Sequence, residues 1–151
     1  MHVVIIGGTG HVGTYLVPRL VTEGYTVTVI SRNKRKAYQP DPLWSAVNMV
    51  VLDREQLEQD GSFANEVRKL QPDIVIDMIC FTEESARMMV AGLAGNISHY
   101  LQCGSMWVHG YGVELPVEES DEKNPLCDYG HQKLAVEKYL LQVAAAENFP
   151  A

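Results

Sequence analysis

Apolar residues along the chain fall into short blocks separated by stretches of helical period. Val3 to Ile6 is β-branched throughout and stops at Gly7-Gly8, which predicts a buried strand. From His11 to Thr22 the positions Val12, Leu16 and Leu20 recur at helical spacing, and Gly24 marks the end. Pro18 lies inside that helix and is expected to kink it or constrain its packing. Residues 25–31 (YTVTVIS), 48–52, 73–79 (DIVIDMI) and 99–103 predict four more strands. Residues 32–45, with Pro40 and Pro42, predict a loop holding at most a short helix. Helices are predicted over 62–70, with Ser62 as N-cap, and from Thr82 to about Leu93. Glu83 and Glu84 sit in the first turn of the latter, where the helix dipole favours them. Residues 106–126 predict a long loop, and residues 127–147 a last helix.

Strands alternating with helices imply βαβ units, right-handed crossovers and a parallel sheet covered on both faces. The expected architecture is a single α/β domain over residues 1–151, a doubly wound, Rossmann-type sheet in strand order 3-2-1-4-5. Ligands of such a sheet bind at the carboxyl ends of the strands, near the crossover between the first and fourth.

Composition narrows the class. Apolar residues make up 46% and charged residues 21% of the 151-residue chain, as in globular proteins. A net charge of −7 argues against nucleic acid as the partner. No apolar run is long enough for a membrane span, and no signal peptide is recognisable. Cys80, Cys103 and Cys127 share no metal-ligand spacing and read as reduced thiols of a cytoplasmic protein. No metal site is expected. One local exception to the acidic balance is the run Arg32, Lys34, Arg35 and Lys36.

The turn after the first strand reads Gly7-Gly8-Thr9-Gly10-His11-Val12-Gly13 and opens a helix. Gly7 permits the tight turn, Gly10 lets backbone approach a pyrophosphate, and Gly13 lets the helix pack on the sheet. Free N–H groups and the dipole at the helix start favour phosphate. The spacing is G-x-x-G-x-x-G. The second strand ends in Ser31-Arg32 rather than an acidic residue, which favours NADP(H) over NAD, because guanidinium pairs well with phosphate. Asp53, closing the third strand, is placed either to receive an adenine amino group or to serve as a turn or cap residue.

Tyr129 and Lys133 stand four apart on the last helix and share a face. A free tyrosine is ionised to only about a thousandth at neutral pH. A neighbouring lysine cation favours the phenolate, so the pair can exchange a proton with a substrate hydroxyl or carbonyl as hydride moves to or from nicotinamide. Ser105 follows the fifth strand, and its hydroxyl can bond the same substrate oxygen.

Together GGTGHVG, CGSMWVHG and YGHQK resemble the short-chain dehydrogenase/reductase superfamily in its extended branch, the NAD-dependent epimerase/dehydratase proteins that act largely on nucleotide sugars. The resemblance implies catalytic roles for Ser105, Tyr129 and Lys133, with Lys133 also holding the nicotinamide ribose. It implies an oxidoreductase or epimerase of a sugar-nucleotide or other hydroxyl/carbonyl substrate. Met106-Trp107 occupies the place of the Asp-Glu pair of the sugar dehydratases, which argues against that activity. Asp77-Met78-Ile79-Cys80-Phe81 is closer to atypical members, which makes a non-catalytic dinucleotide-binding sensor or interaction module the alternative. Members of this branch continue into a substrate-binding domain, so the chain reads as the cofactor-binding part of a longer protein, and an uncovered apolar surface predicts a homodimer.

The remaining candidates have structural readings. Cys80 and Cys103 are expected in the core, while Cys127, two residues before Tyr129, is open to a reactive role. His109 and His131 are expected at the surface. Trp107, Tyr111, Met88 and Met89 are expected to pack, with Trp107 able to line a substrate pocket.

Overall fold

Alternation along the first strand builds both halves of the core. In the computed structural model, which describes residues 1–32, 34, 36–111 and 115–151, β1 is His2–Ile6. Its Val3 and Ile5 face one side of the sheet and pack with Val17, Val27 and Val29. Its Val4 and Ile6 face the other and pack with Phe63, Val67, Met89, Leu93 and Val136. Successive strand residues point to opposite faces, so a wholly apolar strand requires cover on both.

The other strands are β2 (Thr26–Ser31), β3 (Asn48–Val51), β4 (Ile74–Asp77) and β5 (His99–Gln102). All pair in parallel, in the order β3-β2-β1-β4-β5. The expected strand order is therefore the observed one. The helices are α1 (His11–Thr22), α2 (Arg54–Gln59), α3 (Phe63–Lys69), α4 (Glu83–Leu93) and α5 (Asp128–Glu147), with short 3-10 helices at Pro42–Ala46 and Met106–Val108. Helix α1 runs on through Pro18, which is buried. None of the described helices is long and apolar enough to cross a membrane.

Local signals acted as expected at α4, where the Thr82 hydroxyl accepts from Ser85 N at 3.2 Å. They did not at α3. Ser62 precedes it, but its side chain makes no cap and its hydroxyl instead turns back toward the Leu57 carbonyl at 3.4 Å. The cause is α2, which ends just upstream: the Leu57 carbonyl also takes the Ser62 N–H at 2.8 Å, so the whole residue folds back on α2. Helix α2 was not expected from the sequence. Its segment REQLEQ has one apolar residue, and it is held by an Asp53 cap, whose carboxylate accepts from Glu55 N at 3.1 Å, and by the Arg54 anchor described below.

On the β5 edge, Tyr100 N donates to Pro150 O at 2.6 Å, and Phe149 packs against the Tyr100 ring with centroids 5.6 Å apart.

Candidate functional site

Register brings the carboxyl ends of the strands to one rim. Ile6 pairs with Ile30 and with Asp77, Ser31 with Val51, and Asp77 with Gln102. A cleft of about 1070 Å³ opens there, and Gly7, Thr9, Gly10, Ser31, Arg32 and Asp53 all line it. Sequence reasoning had singled out each of these six.

The glycine turn is tight for identifiable reasons. Gly7 adopts φ +81°, a conformation that side chains rarely take. A Cβ on Gly13 would lie 2.0 Å from the Gly8 carbonyl oxygen, so only glycine lets α1 start this close to the turn. Gly8 is buried beneath it, against Val29. Gly10 differs: a Cβ there would meet only Gly7 O, at 3.5 Å. Its missing side chain leaves cleft space that a ligand's phosphate can enter. No side chain caps α1. His11 and Val12 begin the helix with exposed side chains, and the first-turn N–H groups of a helix, which lack intrahelical partners, are suited to an anion.

On the β2 side of the cleft, Arg32 and Lys34 both line the wall. Arg35 of the same basic run lies outside the described residues. Asp53 combines two roles that sequence reasoning set against each other. It caps α2 and also lines the cleft, and a carboxylate has acceptor capacity left after one cap bond. This cradle, open at Gly10 and cationic at one end, fits a dinucleotide.

Beneath the cleft lies a polar cluster that sequence reasoning missed. Asp77, at the end of β4, is fully buried. Arg54 Nη1 reaches both of its carboxylate oxygens at 2.9 Å, Tyr100 OH donates to Oδ2 at 2.9 Å, and Ile79 N donates to Oδ1 at 3.1 Å. Arg54 Nε also donates to Glu58 at 2.6 Å, and Ser85 Oγ donates to the other Glu58 oxygen at 2.8 Å. The guanidinium lies 5.2 Å from the Phe63 ring centre. The neighbouring carboxylates hold the Arg54 pKa above its ordinary value despite burial, and burial, then the Asp77 charge, pushes the Tyr100 phenol up. The only sequence signal was an aspartate inside an otherwise apolar strand.

Tyr129 and Lys133 both project from the first turns of α5. Tyr129 is 41% exposed, whereas Lys133 is 2% exposed. The Lys133 ammonium donates to the carbonyls of Cys80 at 2.9 Å and Cys103 at 2.6 Å, just past the ends of β4 and β5. Burial lowers its pKa from the ordinary lysine value. Phe81, noted in the sequence only as part of the segment after the fourth strand, connects this corner to the cleft. It lines the cleft, its ring lies 6.3 Å from that of Tyr129, and Lys133 Nζ lies 5.9 Å from its centre. Ser105 caps the 3-10 helix Met106–Val108, its Oγ accepting from Trp107 N at 3.3 Å. That helix abuts α5 because Gly130 has no side chain: a Cβ there would lie 2.6 Å from Trp107 O. None of Ser105, Tyr129 and Lys133 lines the cleft itself, and of the three Tyr129 and Lys133 meet Phe81 at its edge.

Four expectations are corrected. Cys103 is exposed, because β5 is an edge strand and the residue lies just beyond it. His109 is buried, with Nδ1 3.2 Å from Glu122 O. Tyr111 and Trp107, expected to pack, are exposed, and Trp107 borders a shallow hollow with Met106, Leu126 and Cys127. Cys80 is in the core as expected, and burial pushes its thiol up to about 11. An alkylating reagent at mildly alkaline pH should therefore label Cys103 and modify Cys80 at least about tenfold more slowly. Peptide mass spectrometry over a time course checks this, and equal rates would contradict the burial of Cys80.

The sequence model of the NAD dependent epimerase/dehydratase family matches residues 3–151. The chain is 31% identical over 138 residues to a 2'-dehydrokanamycin reductase of Streptomyces kanamyceticus, covering 91% of this chain and 37% of that protein. It is 27% identical over 154 residues to a UDP-glucose 4-epimerase of Lactobacillus helveticus, covering 93% and 46%. It thus spans less than half the length of these relatives. The solved UDP-glucose 4-epimerase of Thermotoga maritima, with UDP-glucose, superimposes with a TM-score of 0.79 at 16% identity, covering 99% of this chain and 53% of that one. That of Brucella ovis, in complex with NAD, gives 0.75 at 21% identity, covering 98% and 49%. These structures share the fold. With the family model matching nearly end to end over a glycine-turn cleft and a parallel sheet of this order, the chain belongs to the NAD dependent epimerase/dehydratase family.

Proposed function

We propose that this chain is the dinucleotide-binding domain of an oxidoreductase or epimerase that couples proton transfer by Tyr129 to hydride transfer on a nucleotide sugar or a related hydroxyl/carbonyl substrate. The observation that carries the reading is the seat of Lys133: a buried ammonium, fixed by two carbonyls, one helical turn from Tyr129 at the active rim of the sheet. An ammonium has three N–H donors. Two are taken, which leaves one for a ligand hydroxyl such as that of a ribose. Its positive charge favours the Tyr129 phenolate, so the tyrosine can take a proton from a substrate hydroxyl or return one to a carbonyl. The Ser105 oxygen accepts from Trp107 N and keeps its own proton to donate to the same substrate oxygen. Phe81 borders this corner, against both Tyr129 and Lys133. A bound nicotinamide dinucleotide would supply the hydride acceptor or donor.

The backbone of the Gly7–Gly13 turn would hold the pyrophosphate, and Asp53 the adenine amino group. Arg32 and Lys34 at the cleft wall, with no acid closing β2, support NADP(H) over NAD. The whole protein's substrate would come from the nucleotide-sugar class, as with the epimerase relatives.

In the protein that carries this domain, Tyr129→Phe should lower turnover by about 10²- to 10⁴-fold with dinucleotide affinity nearly unchanged. Unaltered turnover in the variant would remove Tyr129 from the mechanism. Dinucleotide binding without turnover in the unmodified protein would mark it as a sensor instead.

A further inference from the structure

Three residues, His11 within the glycine motif and Thr14 and Tyr38 outside it, connect the phosphate turn to the basic wall. Thr14, on α1, is buried, and its hydroxyl makes two bonds. It donates to the carbonyl of Gly10 at 3.0 Å and accepts from the backbone N–H of Tyr38 at 2.9 Å. One hydroxyl thus joins the N-cap of α1 to the segment that follows β2. His11 repeats the connection through its ring. It meets the Tyr38 ring edge-on, with centroids 5.8 Å apart at 79°, and the Tyr15 ring at 5.8 Å and 77°. Edge-to-face pairing is the favoured aromatic geometry, so the three rings set one another's orientation. Tyr38 lines the cleft beside Arg32 and Lys34.

Ser31 and Tyr38, on either side of the basic residues Arg32 and Lys34, are therefore each anchored. One anchor is β2 itself, whose register is fixed by β1 and β3. The other is Tyr38, held by Thr14 and His11. A cationic side chain on an anchored loop loses less freedom on meeting a phosphate than one on a loose loop, which is how preorganisation raises affinity. Were Thr14 to lose its hydroxyl, the Tyr38 N–H would lose its partner and that end of the loop would be released.

We infer that Thr14, His11 and Tyr38 form a brace that positions Arg32 and Lys34 for a 2′-phosphate, so that selection of NADP(H) over NAD(H) depends on residues that carry no cationic contact themselves. This rests on the NADP(H) reading above. The three are positioning residues, and the chemical class they serve is a phosphomonoester on the adenosine ribose.

The test is fluorescence titration of the purified chain with NADPH and with NADH, read as the ratio of the two affinities. Thr14→Val keeps the shape of the side chain and removes the hydroxyl, and Thr14→Ser restores it. Tyr38→Ala, on an exposed side chain, guards against a folding failure of the buried variant. The ratio of NADPH to NADH affinity should fall about tenfold in Thr14→Val and Tyr38→Ala, equivalent to about 1.4 kcal/mol. It should return toward wild type in Thr14→Ser. 2′-AMP, which carries the phosphate alone, should lose affinity in parallel. A role confined to stability would lower the unfolding midpoint and leave the ratio alone. A wild-type preference for NADPH that persists in both variants would overturn the brace while leaving the NADP(H) reading intact. A wild-type preference for NADH would overturn that reading, and the brace with it.

Discussion

Asp77→Ala is expected to lower the free energy of unfolding by about 3–5 kcal/mol, read as a lower urea midpoint at unchanged slope. The carboxylate is fully buried and holds Arg54, Tyr100 and the Ile79 N–H. Removing it leaves the Arg54 guanidinium, in a site with little access to water, with Glu58 as its remaining carboxylate and strips the acceptor from Arg54 Nη1 and the Tyr100 hydroxyl, and a half-compensated buried charge costs far more than a missing contact. Against a typical total of about 5–15 kcal/mol, such a loss brings the domain near its unfolding threshold. Tyr100→Phe removes one bond to the carboxylate and leaves the ion pair, so about 1.5–3 kcal/mol is expected there. Replacing both ions, with Arg54→Met and Asp77→Leu together, should recover much of the loss, because neither charge is then left unpaired. A cost below about 1 kcal/mol for Asp77→Ala would mean that water reaches the cluster.

Gly13→Ala should abolish dinucleotide binding and destabilise the fold together. The added Cβ would lie 2.0 Å from Gly8 O, 2.5 Å from Gly8 C and 2.8 Å from Gly8 Cα, all backbone atoms. No rotamer relieves that overlap, so α1 must move off the turn, at about 3 kcal/mol or more. Gly10→Ala is the informative contrast. Its Cβ meets only Gly7 O at 3.5 Å, so the fold should stand while the methyl group takes up cleft space. Thermal unfolding alongside NADPH titration separates the two: Gly13→Ala loses on both, Gly10→Ala on binding alone. A Gly13→Ala protein of wild-type stability and affinity would refute the close packing of α1 on the turn.

Wherever a local cause operated, the sequence was readable. β-branched runs gave β1, β2 and β4, glycine gave the first turn, and Thr82 gave the start of α4 with no need of distant partners. The order of strands followed from chain topology and the handedness of crossovers. Long-range causes were not readable. Helix α2 is polar along its length and is pinned by Arg54 to an aspartate 23 residues away. Cys103 reads as core from its apolar neighbours, and only its place beyond an edge strand exposes it. Of the site, the glycine turn, Arg32 and Asp53 were legible because each follows a strand end directly. Phe81 was not, since its bridging position depends on α5 folding back over β4 and β5.

The seat of Lys133 carries a consequence for how this corner can be probed. Its ammonium ties together the segments that follow β4 and β5, through the Cys80 and Cys103 carbonyls. Acetylating it, or replacing it with methionine or arginine, would loosen two backbone segments at the same time as it removed a charge. A loss of turnover in such a protein would conflate a slackened scaffold with a missing reagent. Tyr129, 41% exposed, is the residue on which the proposed proton transfer can be tested by itself.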